Sequence, residues 1–249
     1  MAKHRGDPVD NIFLFDVDGT LTLPRERMTQ DFANLFRVLV KDNLVYLVSG
    51  SDLEKLKEQV PKDILDSCAG IFSSSANQFD IGDELIYENE LEVEQELQDF
   101  LDTFVQSSRY ETKTGKHTEH RPGMINFSVV GRNASQDERR DYYNWDKKEL
   151  ERKKFAITLM AYFPDMDAKI GGEISVDIYP RGYDKRQSVN YIREKHPGRK
   201  ICFFGDKTDK NGNDYSVVIS LTEGDNLHPV VNYLQTKEII SSYLRGAIS

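Results

Sequence analysis

Residues 11–20 are Asn-Ile-Phe-Leu-Phe-Asp-Val-Asp-Gly-Thr, and the fold follows from this stretch. Its first half is a short, continuous run of apolar side chains, which is typical of a strand buried on both faces of a parallel sheet. Asp16 and Asp18 come at the end of this run, so they lie at the carboxyl end of the predicted strand. Because ligands bind at this end of the strands in open α/β sheets, we expect a functional site around Asp16.

The same strand pattern recurs towards both ends of the chain, with helical patterns between the copies. Apolar residues have helical spacing in residues 28–40 and 185–195. The further predicted strands are residues 44–48, 69–73, 200–204 and 217–220. A β-α-β-α-β order implies a parallel sheet with right-handed crossovers. We therefore predict a Rossmann-like α/β core that is built from both ends of the chain.

The middle of the chain has a different pattern. Residues 121–130 and 173–179 alternate between polar and apolar side chains, as half-buried strands do, while residues 88–102 and 135–161 have the pattern of helices. This mixture predicts an α+β cap inserted into the first domain. The predicted division is a core of residues 1–83 and 186–249 and a cap of residues 84–185.

Composition narrows the class of protein. The chain has 249 residues, and its formal charge of −9 argues against broad binding to nucleic acid or to an anionic membrane. Two distant cysteines, Cys68 and Cys202, indicate reduced thiols rather than a disulfide framework. Residues 1–10 lack the apolar centre of a signal peptide, and no apolar run has the ~18 residues of a spanning helix. We expect a cytoplasmic protein.

The acidic residues after two of the predicted strands indicate a metal site. Two carboxylates as close as Asp16 and Asp18 repel each other unless a cation or a proton lies between them. A third carboxylate, Asp206, follows the strand predicted at residues 200–204. Since Mg²⁺ prefers hard oxygen ligands, we predict a magnesium site formed by Asp16, Asp18 and Asp206. The alternative is an ordinary acidic turn, because Asp-Gly turns are common.

Two further side chains fit the handling of a phosphate. Lys185, at the start of a predicted helix, offers a positive charge. Ser49 or Ser51, after the second strand, offers a hydroxyl and a helix N-terminus for phosphate oxygens. A solvated lysine and a plain turn are the simpler explanations of each feature alone. Their joint placement after successive buried strands favours magnesium-dependent phosphoryl transfer.

These positions resemble the four motifs of the haloacid dehalogenase superfamily. The matching residues are Asp16-Val17-Asp18-Gly19-Thr20, Ser49, Lys185, and Gly205-Asp206 with Asn213-Asp214. The resemblance implies that Asp16 attacks phosphorus and forms an aspartyl phosphate, and that Asp18 acts as general acid and base. Both roles suit a carboxylate. Magnesium and Lys185 would offset charge on the phosphoryl oxygens.

Arginines gather around the predicted cap strand of this acidic chain. They are Arg121, Arg132, Arg139 and Arg140, and Arg25 follows the first acidic motif. The forked guanidinium group matches phosphate oxygens in pairs, so the cluster is a candidate anion site. A solvated helix face would explain residues 138–141 equally well.

The cap segments resemble those of eukaryotic-type α-phosphomannomutases, and the similarity runs from about Phe13 to Val230. The matching segments are residues 121–126, 130–132, 136–139, 171–177 and 182–186. The resemblance implies interconversion of mannose 6-phosphate and mannose 1-phosphate, feeding GDP-mannose synthesis, with a hexose 1,6-bisphosphate as activator. It implies that the distal phosphate is bound by Arg25, Arg121, Arg132 and Arg139, and the sugar by Glu173, Ser175 and Asp177. It also suggests a homodimer through the cap.

The chain departs from the family pattern at several positions. Ser74-Ser75-Ala76-Asn77 stands where a Glu-Asn-Gly turn is usual, Pro122 replaces an Asn, and Ser49 replaces a Gly. Residues 218–223 lack the usual Asp-Pro-Arg-Thr, which argues against a second, structural cation. A sugar-phosphate phosphatase on the same scaffold is the alternative function. A non-catalytic binding protein is less favoured, because Asp16, Asp18, Lys185 and Asp206 are all present.

Overall fold

The structure is a computed structural model, and it describes residues 11–210 and 212–246. The strands are β1 (Asn11–Asp16), β2 (Leu44–Val48), β3 (Gly70–Ser73), β4 (Gln78–Ile81), β5 (Glu84–Glu88), β6 (Thr118–Arg121), β7 (Met124–Phe127), β8 (Met166–Gly171), β9 (Ser175–Pro180), β10 (Lys200–Gly205) and β11 (Asn226–Pro229). The helices are α1 (Gln30–Asp42), α2 (Leu53–Gln59), α3 (Lys62–Ser67), α4 (Gln95–Ser107), α5 (Gln136–Glu149), α6 (Glu151–Tyr162), α7 (Arg186–Lys195), α8 (Tyr215–Val218) and α9 (Tyr233–Leu244).

The larger sheet has seven strands in the order β11-β10-β1-β2-β3-β4-β5. β1 pairs in parallel with both β10 and β2, so the carboxyl ends of these three strands share one edge. Side chains of β1 alternate between two cores: Phe13 and Phe15 pack on one face, Ile12 and Leu14 on the other. Burial on both faces explains the continuous apolar run, and the predicted α/β class with a mostly parallel sheet is confirmed.

The second sheet is antiparallel, with four strands in the order β6-β7-β9-β8. Ile125, Phe127, Val176 and Ile178 form its core with α4, α5 and α6. This sheet begins at Thr118, whereas residues 84–88, which we assigned to the cap from the sequence, form β5 of the larger sheet. The division into a catalytic core and a substrate-binding cap remains a prediction.

Three predicted elements differ from those of the structure. The strand predicted at residues 217–220 is wrong: this segment contains the end of α8 and a turn, and β11 occupies the edge of the sheet instead. A short apolar run has no periodicity that separates a strand from a buried helical turn. The single strand predicted at residues 121–130 is a hairpin, β6 and β7, whose turn contains Gly123 at φ +59°. The helix predicted at residues 88–102 starts later, at Gln95.

Some predictions fall on residues 1–10, 211 and 247–249, which lie outside the described residues. They include the ends of the predicted core domain and the segment judged unlike a signal peptide. Within residues 11–210 and 212–246, none of the helices has the length and apolar character needed to cross a membrane.

Candidate active site

Asp16 is the last residue of β1, and its carboxylate is held on both oxygens. Lys185 Nζ donates to Asp16 Oδ1 at 2.6 Å, and Thr20 Oγ1 donates to Oδ2 at 3.2 Å. Lys185 also donates to Asp214 Oδ1 at 2.7 Å. Burial lowers the pKa of the Lys185 ammonium, but Asp16 and Asp214 outweigh it and keep this pKa above its usual value. Lys185 is therefore a buried permanent cation between two carboxylates.

Asp16, Asp206 and Asp214 form an acidic group at the carboxyl edge of the larger sheet. Each offers a carboxylate oxygen, and these oxygens lie within 4.8 Å of one another. Burial raises the pKa of Asp16 to about 8; Lys185 lowers it, whereas Asp214 and Asp206 raise it. When all three carboxylates are ionised, Lys185 offsets one of their three negative charges. A divalent cation would offset the other two.

The local backbone leaves room for the Asp206 carboxylate. Gly19 lies beyond the end of β1 at φ +88°, and a Cβ there would be 2.3 Å from Asp206 Oδ2. A larger residue at this position would push the Asp206 carboxylate away and strain the turn. Three carboxylates are hard oxygen donors, so the residues present fit a divalent ion such as Mg²⁺.

Asp18 lies next to this acidic group but makes other bonds. Its Oδ1 accepts from the Arg25 main-chain N–H and from Gln59 Nε2, both at 2.8 Å, and its Oδ2 accepts from Ser51 Oγ at 3.2 Å. A place for Asp18 in the predicted ligand set of Asp16, Asp18 and Asp206 stays a prediction, whereas the side chain grouped with Asp16 and Asp206 is Asp214. The reason is that β1 ends at Asp16, so the alternation of the strand does not continue to Asp18.

Of the two serines considered after β2, Ser51 lies at the site. Ser49 is fully buried, and its Oγ accepts the main-chain N–H of Ser51 at 3.0 Å. Ser51 lines the cleft and donates to Asp18. The structure therefore places Ser51 rather than Ser49 on the cleft, and the phosphate-facing hydroxyl predicted after the second strand stays a prediction.

A cleft lies between this edge and the second sheet. The predicted site residues that line it are Asp16, Asp18, Arg25, Arg121, Arg132, Ser175, Asp177 and Asp206. The other lining residues are Pro24, Gly50, Ser51, Asn126, Gly171, Gly172, Lys207 and Asn213. The wall on the side of the second sheet thus carries Arg121, Arg132 and Asp177, and it faces a wall with three carboxylates together with Arg25 and Lys207.

Glu119 forms ion pairs with both Arg121 and Arg132. Its two carboxylate oxygens pair with Arg121 Nε at 3.1 Å and with Arg132 Nη2 at 2.6 Å. Burial raises the pKa of Glu119, but the two arginines lower it more, so the group stays ionised. In the part of the chain that the structure describes, Arg132 Nε and Nη1 are buried without a hydrogen-bond partner. The site therefore has guanidinium donors available for an anion.

Arg139 and Glu173 do not belong to the described lining of the cleft. Arg139 Nε donates to the Ala134 carbonyl at 3.0 Å, and its Nη2 donates to the Arg132 carbonyl at 3.1 Å. Burial lowers the pKa of Arg139, and Arg25 and Arg132 lower it further, so these three cations lie close together. Arg139 fixes the main chain that carries Arg132, whereas Glu173 is exposed.

Polar residues of β7 and β9 form the rest of this wall. Asn126 and Asp177 are cross-strand partners, and Asn126 Nδ2 donates to Asp177 Oδ1 at 2.6 Å. Ser175 Oγ donates to the Gly171 carbonyl at 2.9 Å. Burial raises the pKa of Asp177, while Arg121, Asn126 and Arg132 lower it. Asn126 was not predicted, although a polar residue inside an alternating strand was a usable signal.

Comparison with known proteins identifies the family. The profile of the family described as eukaryotic phosphomannomutase matches residues 32–243. The chain belongs to the eukaryotic phosphomannomutase family. It is 36% identical over 225 residues to a phosphomannomutase of Triticum aestivum, covering 87% of this chain and 89% of that protein. It is 35% identical over 218 residues to a phosphomannomutase of Saccharomyces cerevisiae, covering 84% and 85%.

Solved structures give the same fold at lower identity. The C-terminal domain of a Candida albicans trehalose-6-phosphate phosphatase has a TM-score of 0.61 at 17% identity, covering 96% of this chain and 93% of that domain. A subclass IIB sugar phosphatase of the haloacid dehalogenase superfamily has a TM-score of 0.59 at 15% identity, covering 96% and 100%. The predicted haloacid dehalogenase fold is thus confirmed, as are the phosphomannomutase family and the class of isomerase enzymes.

Proposed function

We propose that the protein interconverts mannose 6-phosphate and mannose 1-phosphate by passing a phosphoryl group through Asp16, with a hexose 1,6-bisphosphate as activator. One observation carries the proposal: a single cleft has the Asp16 group on one wall and the unfilled donors of Arg132 on the other. A reaction that moves phosphate between two ends of a sugar needs one site for the reacting phosphate and another for the phosphate that does not react.

Asp16 is the proposed phosphoryl acceptor. Lys185 and Thr20 hold its carboxylate at the carboxyl end of β1, and Lys185 offsets charge there. The residues that would hold Mg²⁺ are Asp16, Asp206 and Asp214. When bound, Mg²⁺ would supply positive charge for the oxygens of the transferring group.

Asp18 is the proposed general acid and base. It would donate a proton to the sugar oxygen that leaves when Asp16 attacks phosphorus. It would then accept the proton of the sugar hydroxyl that takes the phosphoryl group back from Asp16. Its position supports this role, because Asp18 lines the cleft while its carboxylate bonds to neutral donors, Ser51 and Gln59 among them.

The inserted region is the proposed holder of the distal phosphate and the sugar. Arg121, Arg132 and Arg25 would bind the phosphate, with Arg139 supporting the Arg132 main chain. Ser175 and Asp177, which line the cleft, would bind sugar hydroxyls. Glu173, on the neighbouring loop, would reach the sugar only if that loop moves inward.

Contact between the two walls supports transfer of the phosphoryl group to a sugar rather than to water. Arg121 Nη1 donates to the Gly50 carbonyl at 3.3 Å, so an arginine of the phosphate site also touches the loop after β2. Binding of the remote phosphate can then favour the closed cleft, which excludes water from phospho-Asp16.

A coupled assay tests this function. The protein is incubated with Mg²⁺, mannose 1-phosphate and a catalytic amount of glucose 1,6-bisphosphate, and mannose 6-phosphate and inorganic phosphate are both measured. We expect mannose 6-phosphate to form in large excess over inorganic phosphate. Release of inorganic phosphate alone would contradict the mutase and favour a phosphatase. The same assay with glucose 1-phosphate measures the sugar preference.

We also propose a cytoplasmic homodimer that supplies mannose 1-phosphate for GDP-mannose synthesis. Exposed apolar side chains on α6, Ile157 and Tyr162, support an interface through the inserted region. Light scattering of the wild type and of Ile157→Asp tests it: we expect a dimer and a monomer, respectively, and a monomeric wild type would refute the interface.

A further inference from the structure

Gln59 is a buried amide beside Asp18, and the mechanism above gives it no task of its own. It ends α2 and is 2% exposed. Its Nε2 donates to Asp18 Oδ1 at 2.8 Å and to Thr22 Oγ1 at 3.3 Å. Its main-chain carbonyl accepts the Met28 N–H at 2.8 Å. Both ends of this residue are therefore attached to the loop that follows β1.

The hydrogen bonds to Asp18 hold its Oδ1 more tightly than its Oδ2, and Oδ2 is the oxygen that contacts the cleft residue Ser51. Asp18 Oδ1 has two donors at 2.8 Å, the Gln59 amide and the Arg25 main chain. Asp18 Oδ2 has the longer bond, 3.2 Å, to Ser51, which lines the cleft. Because an ionised carboxylate can only accept, the amide must present its NH₂ group to Asp18.

The oxygen of the same amide is unfavourable for stability. Within residues 11–210 and 212–246, Gln59 Oε1 is buried and has no hydrogen-bond partner. A buried polar atom that lacks a partner destabilises a fold, and an apolar side chain of similar length would avoid the penalty. The two bonds that Nε2 donates must offset this cost, and the bond to Asp18 is the one that reaches the active site.

We propose that Gln59 is a positioning residue, which holds the Asp18 carboxylate in the orientation from which it transfers protons to and from the sugar oxygen. The inference rests on the proposed role of Asp18. Without the amide, Oδ1 keeps one of its two short bonds and the carboxylate turns more freely. Proton transfer then slows, whereas substrate binding, which depends on the guanidinium groups of Arg25, Arg121 and Arg132, does not change.

The test compares Gln59→Met and Gln59→Glu with the wild type. Met retains the length of the side chain without a donor, and Glu retains its shape but places a carboxylate beside Asp18. Gln30→Met is the matched control, because Gln30 is exposed and bonds to Asn34 on α1. kcat, KM, the Mg²⁺ concentration for half-maximal rate and Tm are measured for each protein.

We expect both Gln59 variants to lose about 10- to 100-fold in kcat, with KM within about threefold of the wild type. Half-saturation by Mg²⁺ should not change, and Tm shows that each variant is folded at the assay temperature. A folded Gln59 variant with kcat within about twofold of the wild type would overturn the proposal. So would a loss that lies entirely in KM.

The test of Gln59 remains valid even if the proposed mutase function is wrong. A wild-type protein that only releases inorganic phosphate would refute the mutase function. Asp18 would then accept a proton from the attacking water instead of from the sugar hydroxyl. The same variants are in that case measured by phosphate release, with the same expected loss in kcat.

Discussion

At the scale of single residues, the chemistry depends on Asp16 and the groups that bond to it. Its place at the carboxyl end of β1 could be predicted from the sequence, because a buried apolar run ends there. The participation of Asp214 in the acidic group could not be predicted as readily. Asp214 reaches it through a turn before α8, where no strand pattern marks the direction of the side chain.

Replacing Asp16 by Asn tests the proposed nucleophile. Asn cannot form the aspartyl phosphate, so we expect turnover to fall by about 10⁴-fold or more. The fold should persist with a Tm change below about 4 °C, because the lost Lys185 ion pair is offset by weaker repulsion from Asp206 and Asp214. Asp66→Asn, an exposed control, should keep full activity. Wild-type turnover by folded Asp16→Asn would refute the mechanism.

Replacing Arg132 by Met tests the proposed phosphate site. Charge-assisted bonds contribute about 1.5–3 kcal/mol each, so kcat/KM should fall by at least about 10-fold. Most of the loss should appear in KM. Arg140→Met is the control, because Arg140 is largely exposed and pairs with Asp137 on the outer face of α5. Equal effects of the two substitutions would mean that Arg132 does not bind substrate.

At the scale of elements, two strands and a turn bring the acidic group together. β1 and β10 are parallel neighbours in the sheet. The sequence predicted a parallel sheet built from both ends of the chain, but it did not predict that these two strands are adjacent. The strand predicted at residues 217–220 was wrong because its few apolar residues also suit the buried side of α8. Gln59 gave no signal at all, since its partner Asp18 lies 41 positions earlier in the chain and only the packing of α2 joins them.

Stability of the metal-free protein should depend on pH through this acidic group. The folded-state pKa of Asp16, about 8, lies above its ordinary value of 3.8. Between these values the folded state binds the proton more tightly than the unfolded state, so Asp16 makes the protein less stable as pH rises from about 4 to 8. Mg²⁺ binds the ionised carboxylate, so the increase in Tm caused by Mg²⁺ should be larger at pH 8 than at pH 6. Melting curves with and without Mg²⁺ check this, and an increase that is larger at pH 6 would contradict it.

At the scale of the whole molecule, the cleft joins parts that are distant in sequence. Residues after β1, β2 and β10 form one wall, and the β6–β9 sheet forms the other. The sequence predicted both walls and most of the arginines between them. The sequence did not distinguish Arg132, which lines the cleft, from Arg139, which bonds to the neighbouring main chain. Both are arginines close in sequence to a predicted cap strand, and nothing in the sequence marks which of them faces the cleft.

The proposed mechanism requires phospho-Asp16 to return its phosphoryl group to a sugar phosphate. The most direct test labels the protein with ³²P from labelled glucose 1,6-bisphosphate, removes the unbound label and adds unlabelled mannose 1-phosphate in a rapid-quench experiment. We predict that the label moves from the protein to position 6 of the mannose phosphates, and that Asp16→Asn takes up no label. Release of the protein-bound label as inorganic phosphate, at the same rate with and without mannose 1-phosphate, would contradict the account.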